Sequence, residues 1–183
     1  MSWPQKIIIG LALTSGVWLV LPASAIPFSL NGAKVEAGFS PNGSGLALVL
    51  KVINSAQHSI DMAAYSLTSR PVAEALVTAA HRGVQVRVVA DSGEVRKSHS
   101  VAQFLANQRV SVRTNDKYLS MHDKYLLVDG NHLQQGSFNY SAAAASRNAE
   151  NVVVTWNAPQ LVKIFQEDWQ RLWSEGTPLP AQY

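Results

Sequence analysis

Residues 59–90, SIDMAAYSLTSRPVAEALVTAAHRGVQVRVVA, decide the fold. Residues 59–67 read as a strand. Ser69 and Pro71 then open a helix over 71–81, because proline suits a first turn whose N–H groups lack intrahelical acceptors. Gly83 stops it, and 84–90 form a β-branched strand with Val84, Val86 and Val88 on one face. Working outward, the same alternation continues. Upstream lie a strand over 33–39, a turn-rich Ser40-Pro41-Asn42-Gly43-Ser44-Gly45, and a helix over 46–56 with Leu46, Val49, Leu50 and Ile53 at helical spacing. Downstream come a polar loop over 91–98, a helix over 99–107 and a short strand over 110–113. Two strands over 124–128 and 133–136 flank the turn Asp129-Gly130-Asn131. A short helix over 142–145, a strand over 151–156 and an amphipathic helix over 159–173 complete the chain. Strands alternating with helices predict one α/β domain over 26–183, a mixed, mostly parallel β-sheet flanked by helices on both faces.

Residues 1–25 read as an address. Lys6 precedes an apolar run from Ile7 to Leu21, Pro22 breaks it, and Ala23-Ser24-Ala25 is a small-x-small cleavage site, the layout of a secretory signal peptide. The run is shorter than the roughly 20 residues of a spanning helix. The expectation is cleavage after Ala25, a periplasmic or secreted product and no stable membrane insertion afterwards. Removing 25 of 183 residues leaves 158, enough for one domain with a real core. There is no cysteine, which excludes disulfides and thiolate metal sites. The formal charge of +3 is unevenly spread, because the stretch 82–124 holds eight bases and four acids. A local basic surface there would suit a polyanion.

The chemistry concentrates in Met121-His122-Asp123-Lys124-Tyr125-Leu126-Leu127-Val128-Asp129-Gly130, followed by Gly136-Ser137-Phe138-Asn139 and Glu150. Histidine can attack phosphorus and hold a covalent intermediate. Lysine and small hydroxyl or amide donors can stabilise charge on phosphoryl oxygens. His122 and Lys124, two apart in an expected strand, share a face, as do Ser137 and Asn139. Asp129 is an odd number of residues from His122, so it reads as an orienting or turn-forming residue, and its Asp-Gly context supports the turn. The set occurs once.

The pattern His122-x-Lys124-x4-Asp129-x6-Gly136-Ser137-x-Asn139 resembles the signature of the phospholipase D superfamily, with Glu150 where that family has its acid. The resemblance runs from about Phe39 to Trp173, and length, export and the single motif are similar to its small bacterial endonucleases. It implies cleavage of a phosphodiester through a phosphohistidine, without metal or other cofactor, using two motif copies per site. His122 would be nucleophile in one copy and general acid in the other. Lys124, Asn139 and Ser137 would bind the non-bridging oxygens. Glu150 would hold the second ring nitrogen of His122, and Asp129 completes the catalytic motif. One copy per chain then implies a homodimer with the site on its two-fold axis.

The expected substrate is nucleic acid, DNA with RNA as an alternative, bound through backbone phosphates without base readout. Tyr118, Tyr125, Phe138 and Tyr140 are available for stacking, although core packing suits most of them better. The competing reading is a phospholipase-type hydrolase or transphosphatidylase acting on lipid head groups. A metal-dependent nuclease built on His122, Asp123, Asp129 and His132 suffers from the cation of Lys124 among the ligands. A non-enzymatic nucleic-acid binder leaves the His-Lys-Ser-Asn-Glu set unexplained.

Overall fold

A computed structural model describes residues 32–182. The expected signal segment, 1–25, lies outside the described residues. The elements in chain order are β1 (Lys34–Ser40), α1 (Ser44–Ser55), β2 (Ser59–Ala64), α2 (Arg70–His81), β3 (Gln85–Asp91), α3 (Ser92–Val95), α4 (Ala102–Asn107), β4 (Ser111–Asn115), β5 (Lys124–Val128), β6 (His132–Gly136), α5 (Ala142–Ser146), β7 (Glu150–Trp156), α6 (Pro159–Glu175) and β8 (Thr177–Pro178). They build one eight-stranded sheet in the order β1-β7-β6-β5-β2-β3-β4-β8.

The mixed sheet with helices on both faces is as expected, but its parallel share is smaller. Only β2-β3 and β3-β4 pair in parallel. The other five pairings are antiparallel. The parallel part coincides with the β2-α2-β3 unit of the opening stretch, where a crossover helix carries the chain back. Beyond it, the β5-β6 hairpin reverses direction. Asp129 and Gly130 both have positive φ (54° and 63°), and Asn131 N–H donates to Val128 C=O at 3.0 Å. That is the turn whose twist matches paired strands.

Alternation along the strands feeds two cores. Ile60, Met62 and Ala64 of β2, Val86 and Val88 of β3, and Leu126 and Val128 of β5 meet the apolar stripes of α1, α2 and α4. Ala63, Val89, Tyr125, Leu127 and Leu133 meet Leu161, Val162, Trp169 and Leu172 of α6 on the other face. An ion pair fixes α6 in place. Arg87 of β3 reaches Asp61 of β2 through two 2.7 Å hydrogen bonds, Gln166 Nε2 donates to the same carboxylate at 2.8 Å, and the guanidinium lies 4.4 Å from the Trp169 ring centroid. Asp61 is nearly inaccessible, so these donors take the place of water around its carboxylate.

Two elements depart from the expected pattern. The polar loop after β3 contains α3, because the Asp91 carboxylate accepts from Glu94 N–H at 2.9 Å and caps a helical turn. Strand β8 pairs Arg113 and Thr114 with Pro178 and Thr177 at the sheet edge. Among the described residues, no helix is long and apolar enough to cross a membrane.

Candidate active site

The parallel direction of β2, β3 and β4 sends their C-terminal ends to one edge of the sheet. Antiparallel pairing brings the start of β5, the end of β6 and the start of β7 to that same edge. The edge holds an open cleft of about 430 Å³ lined by His122, Lys124, Ser137, Asn139 and Glu150, with Phe165 and Tyr125 on its apolar side. Five of the six expected site residues therefore converge.

His122 does so by a different route from the expected one, since it precedes β5 in a loop. The loop is pinned on both sides of the histidine. Met121 N–H donates to Asp91 Oδ2 at 2.9 Å, and Asp123 C=O accepts from Tyr65 N–H at 2.9 Å. His122 stays exposed. Lys124, the first residue of β5, is buried and turns its ammonium back, with Nζ 3.0 Å from His122 Nδ1 and donating to His122 C=O at 2.6 Å. Burial pushes its pKa below the ordinary lysine value, while Asp123 and Glu150 pull the other way. The ammonium is thus poorly hydrated and ready to bind an anion.

The Ser-Asn arm leaves β6 through Gly136, whose φ is +153° and where a Cβ would lie 2.3 Å from Asn151 C=O. Only glycine permits that close approach to β7. Ser137 Oγ donates to Glu150 Oε2 at 2.5 Å and accepts from Asn151 N–H at 3.1 Å. Asn148 Nδ2 donates to Glu150 Oε1 at 2.9 Å. Glu150 therefore holds Ser137 and Asn148 here, in place of the expected bond to His122. Asn139 Oδ1 is buried without a hydrogen-bond partner, and its side chain lines the cleft.

Asp129 stands at the other end of β5. Its carboxylate accepts from the N–H groups of Gln57 (2.9 Å), His58 (2.8 Å) and Ser59 (2.8 Å). Burial opposes its charge, but the three donors outweigh burial and hold its pKa below the usual carboxylate value. Asp129 clamps the α1-β2 connection to the β5-β6 turn, which agrees with an orienting role and keeps it out of the cleft.

The basic stretch 82–124 divides in space. Lys97 and Lys117 follow the ends of β3 and β4 at the site edge, where each pairs with a glutamate, Glu94 and Glu175. Arg82 and Arg109 precede those strands and lie at the opposite end. Arg87 is consumed by Asp61. Tyr125, Phe138 and Tyr140 are core residues, leaving Tyr118 exposed for stacking. Sequence reasoning passed over Asp91 and Tyr65. Asp91 had a signal in its position three residues before Glu94, whereas Tyr65 had none.

A histidine-lysine pair at a polar cleft is a set able to handle phosphate, and the chain is similar to proteins named for phosphodiester chemistry. The family described as cardiolipin synthase, PLD-like domain, matches residues 49–173. The chain is 31% identical over 140 residues to a phospholipase D of Rickettsia bellii, covering 76% of this chain and 69% of that one. It is 33% identical to a mitochondrial cardiolipin hydrolase of Danio rerio, covering 75% of this chain and 62% of the relative. The crystal structure of Nuc, a phospholipase D family member from Salmonella typhimurium, superposes with a TM-score of 0.80 at 40% identity over 81% of this chain and 99% of Nuc. The chain belongs to the phospholipase D superfamily. It is a phosphodiester hydrolase.

Proposed function

We propose that the protein is a metal-independent endonuclease of low sequence specificity, exported after loss of residues 1–25, with its active site shared across a homodimer. The observation that carries this reading is the single His122-Lys124 pair in an open cleft, in a chain whose match to Nuc spans 99% of Nuc. In the first step His122 Nε2 donates its lone pair to phosphorus. The P–O bond to the leaving group breaks, and that oxygen takes a proton from the partner's His122. In the second step the same partner histidine removes a proton from water, the hydroxide attacks the phosphohistidine, and the P–N bond breaks to return His122. Lys124, Asn139 and Ser137 bind the non-bridging oxygens throughout.

The resting geometry adds a requirement. While Lys124 donates to Nδ1, a neutral His122 carries its proton on Nε2 and has no lone pair there. A bound phosphate must draw the ammonium away, after which Nδ1–H needs an acceptor. Glu150 is the carboxylate across the cleft, and release from Ser137 would supply it. Replacing Glu150→Gln is expected to lower kcat on the order of a hundredfold with little change in KM. Steady-state kinetics checks this, and an unchanged kcat would remove Glu150 from the chemistry.

Plasmid nicking in excess chelator tests the whole reading. Nicking that persists in chelator and vanishes in His122→Ala supports it, and loss of nicking on chelation overturns it. A second reading, lipid head-group hydrolysis, is favoured by the fully exposed Leu119 three residues before His122 and by the named activities of the curated relatives. Head-group release from cardiolipin or phosphatidylcholine vesicles without nicking would establish it instead.

A further inference from the structure

We propose that Tyr65 is a positioning residue for the phosphoryl-transfer step, fixing the plane of the His122 imidazole and sharing its ring face with the Lys124 ammonium. Tyr65 is the first residue after β2, and its backbone N–H is the donor that ties down Asp123, next to His122. Its ring centroid lies 4.3 Å from that of His122 at an interplanar angle of 53°. Lys124 Nζ lies 5.1 Å from the same ring. His122 is exposed and outside any strand, and Glu150 is held by Ser137 and Asn148. The tilted Tyr65 ring and Lys124 at Nδ1 are thus the side-chain contacts, among the described residues, that hold the imidazole before substrate arrives. An in-line attack needs the Nε2 lone pair aimed at phosphorus, so a rotating ring loses rate without losing affinity. The electron-rich ring face also lies toward the Lys124 ammonium, which carries positive charge beside the reacting imidazole.

The inference rests on the phosphodiester hydrolase assignment, whichever natural substrate applies, so bis(p-nitrophenyl) phosphate serves as the probe. No wild-type turnover of this probe would count against the assignment, whereas the variants below test Tyr65 itself. Tyr65→Leu is expected to lower kcat on the order of tenfold with KM within about twofold. Tyr65→Phe should restore it. Proton NMR gives a readout independent of turnover, because the His122 ring protons should be shifted upfield by the neighbouring ring in the wild type and Tyr65→Phe, and the shift should vanish in Tyr65→Leu. Wild-type kcat in Tyr65→Leu overturns the proposal, as does a Tyr65→Phe variant that falls as far as Tyr65→Leu. Should Tyr65→Leu fail to fold, pentafluorophenylalanine at position 65 keeps the ring's shape but reverses its face charge. Its kcat should fall about fivefold below that of Tyr65→Phe, and equal values overturn the proposal.

Discussion

A dimer carrying one His122→Ala subunit is expected to lose nearly all turnover, not half. The expectation follows from the proposed division of labour between the two histidines. If one attacks phosphorus while the other protonates the leaving oxygen, then each phosphodiester needs both, and one alanine removes either the nucleophile or the acid. In the homodimer with both histidines replaced, the loss should be on the order of 10⁴-fold or more, because residues acting as a unit fail together and not additively. The substitution is structurally mild. His122 is exposed and its loop is held by backbone groups of Met121 and Asp123, so the fold should survive. Differently tagged subunits, co-expressed and purified in tandem, yield the mixed dimer for plasmid nicking. Half the wild-type rate would show two independent sites and sink the shared arrangement, as would a fully active monomer by light scattering.

The second large effect concerns stability. Asp129→Ala should lower the unfolding free energy by about 2–3 kcal/mol, because three backbone N–H groups lose a charged acceptor and water replaces it only in part. The sign of the pH dependence follows from the depressed folded-state pKa. The native state binds a proton at Asp129 less readily than the unfolded chain does. Its contribution is therefore present above the unfolded-state pKa and is lost as pH falls through the folded one. Urea titrations at neutral pH and near pH 3 check this. The gap between wild type and Asp129→Ala should be wide at neutral pH and narrower in acid. An equal gap at both values would show that the carboxylate's charge is not what holds the α1-β2 connection.

The contrast between His122 and Asp129 shows what local sequence carries and what it does not. The Asp-Gly pair announced the β5-β6 turn, because turn chemistry is local, whereas Asp129 is kept from the cleft by the length of β5 between it and His122 and not by the odd spacing, since His122 lies outside the strand. The helices α1, α2 and α6 were legible because each repeats its apolar side chains every three or four positions. Strand direction was not legible, as an apolar alternation looks the same parallel or antiparallel, and the sheet proved mostly antiparallel. Elements as short as α3 and β8 carry no period; one forms from the Asp91 cap and the other from pairing with β4. At the site, the motif residues were identifiable by type and spacing. The bond of Glu150 to Ser137 and the approach of Tyr65 to His122 were not, because each depends on how separate strands pair.

The placement of the cleft at one edge of the sheet bears on how such a protein can change its diet. Lys124, Gly136 and Glu150 sit at the ends of strands whose inward-facing residues, among them Leu126, Leu127, Leu133, Val152 and Val154, are locked into the cores, so the chemical centre is hard to alter without loosening the sheet. The neighbouring segments 116–120 and 146–149 are largely exposed and enter neither core. Substitutions there, at Tyr118, Leu119 or Arg147, can reshape which phosphodiester reaches His122 at little expense in stability. A conservative engine with a replaceable intake is what this architecture offers to selection.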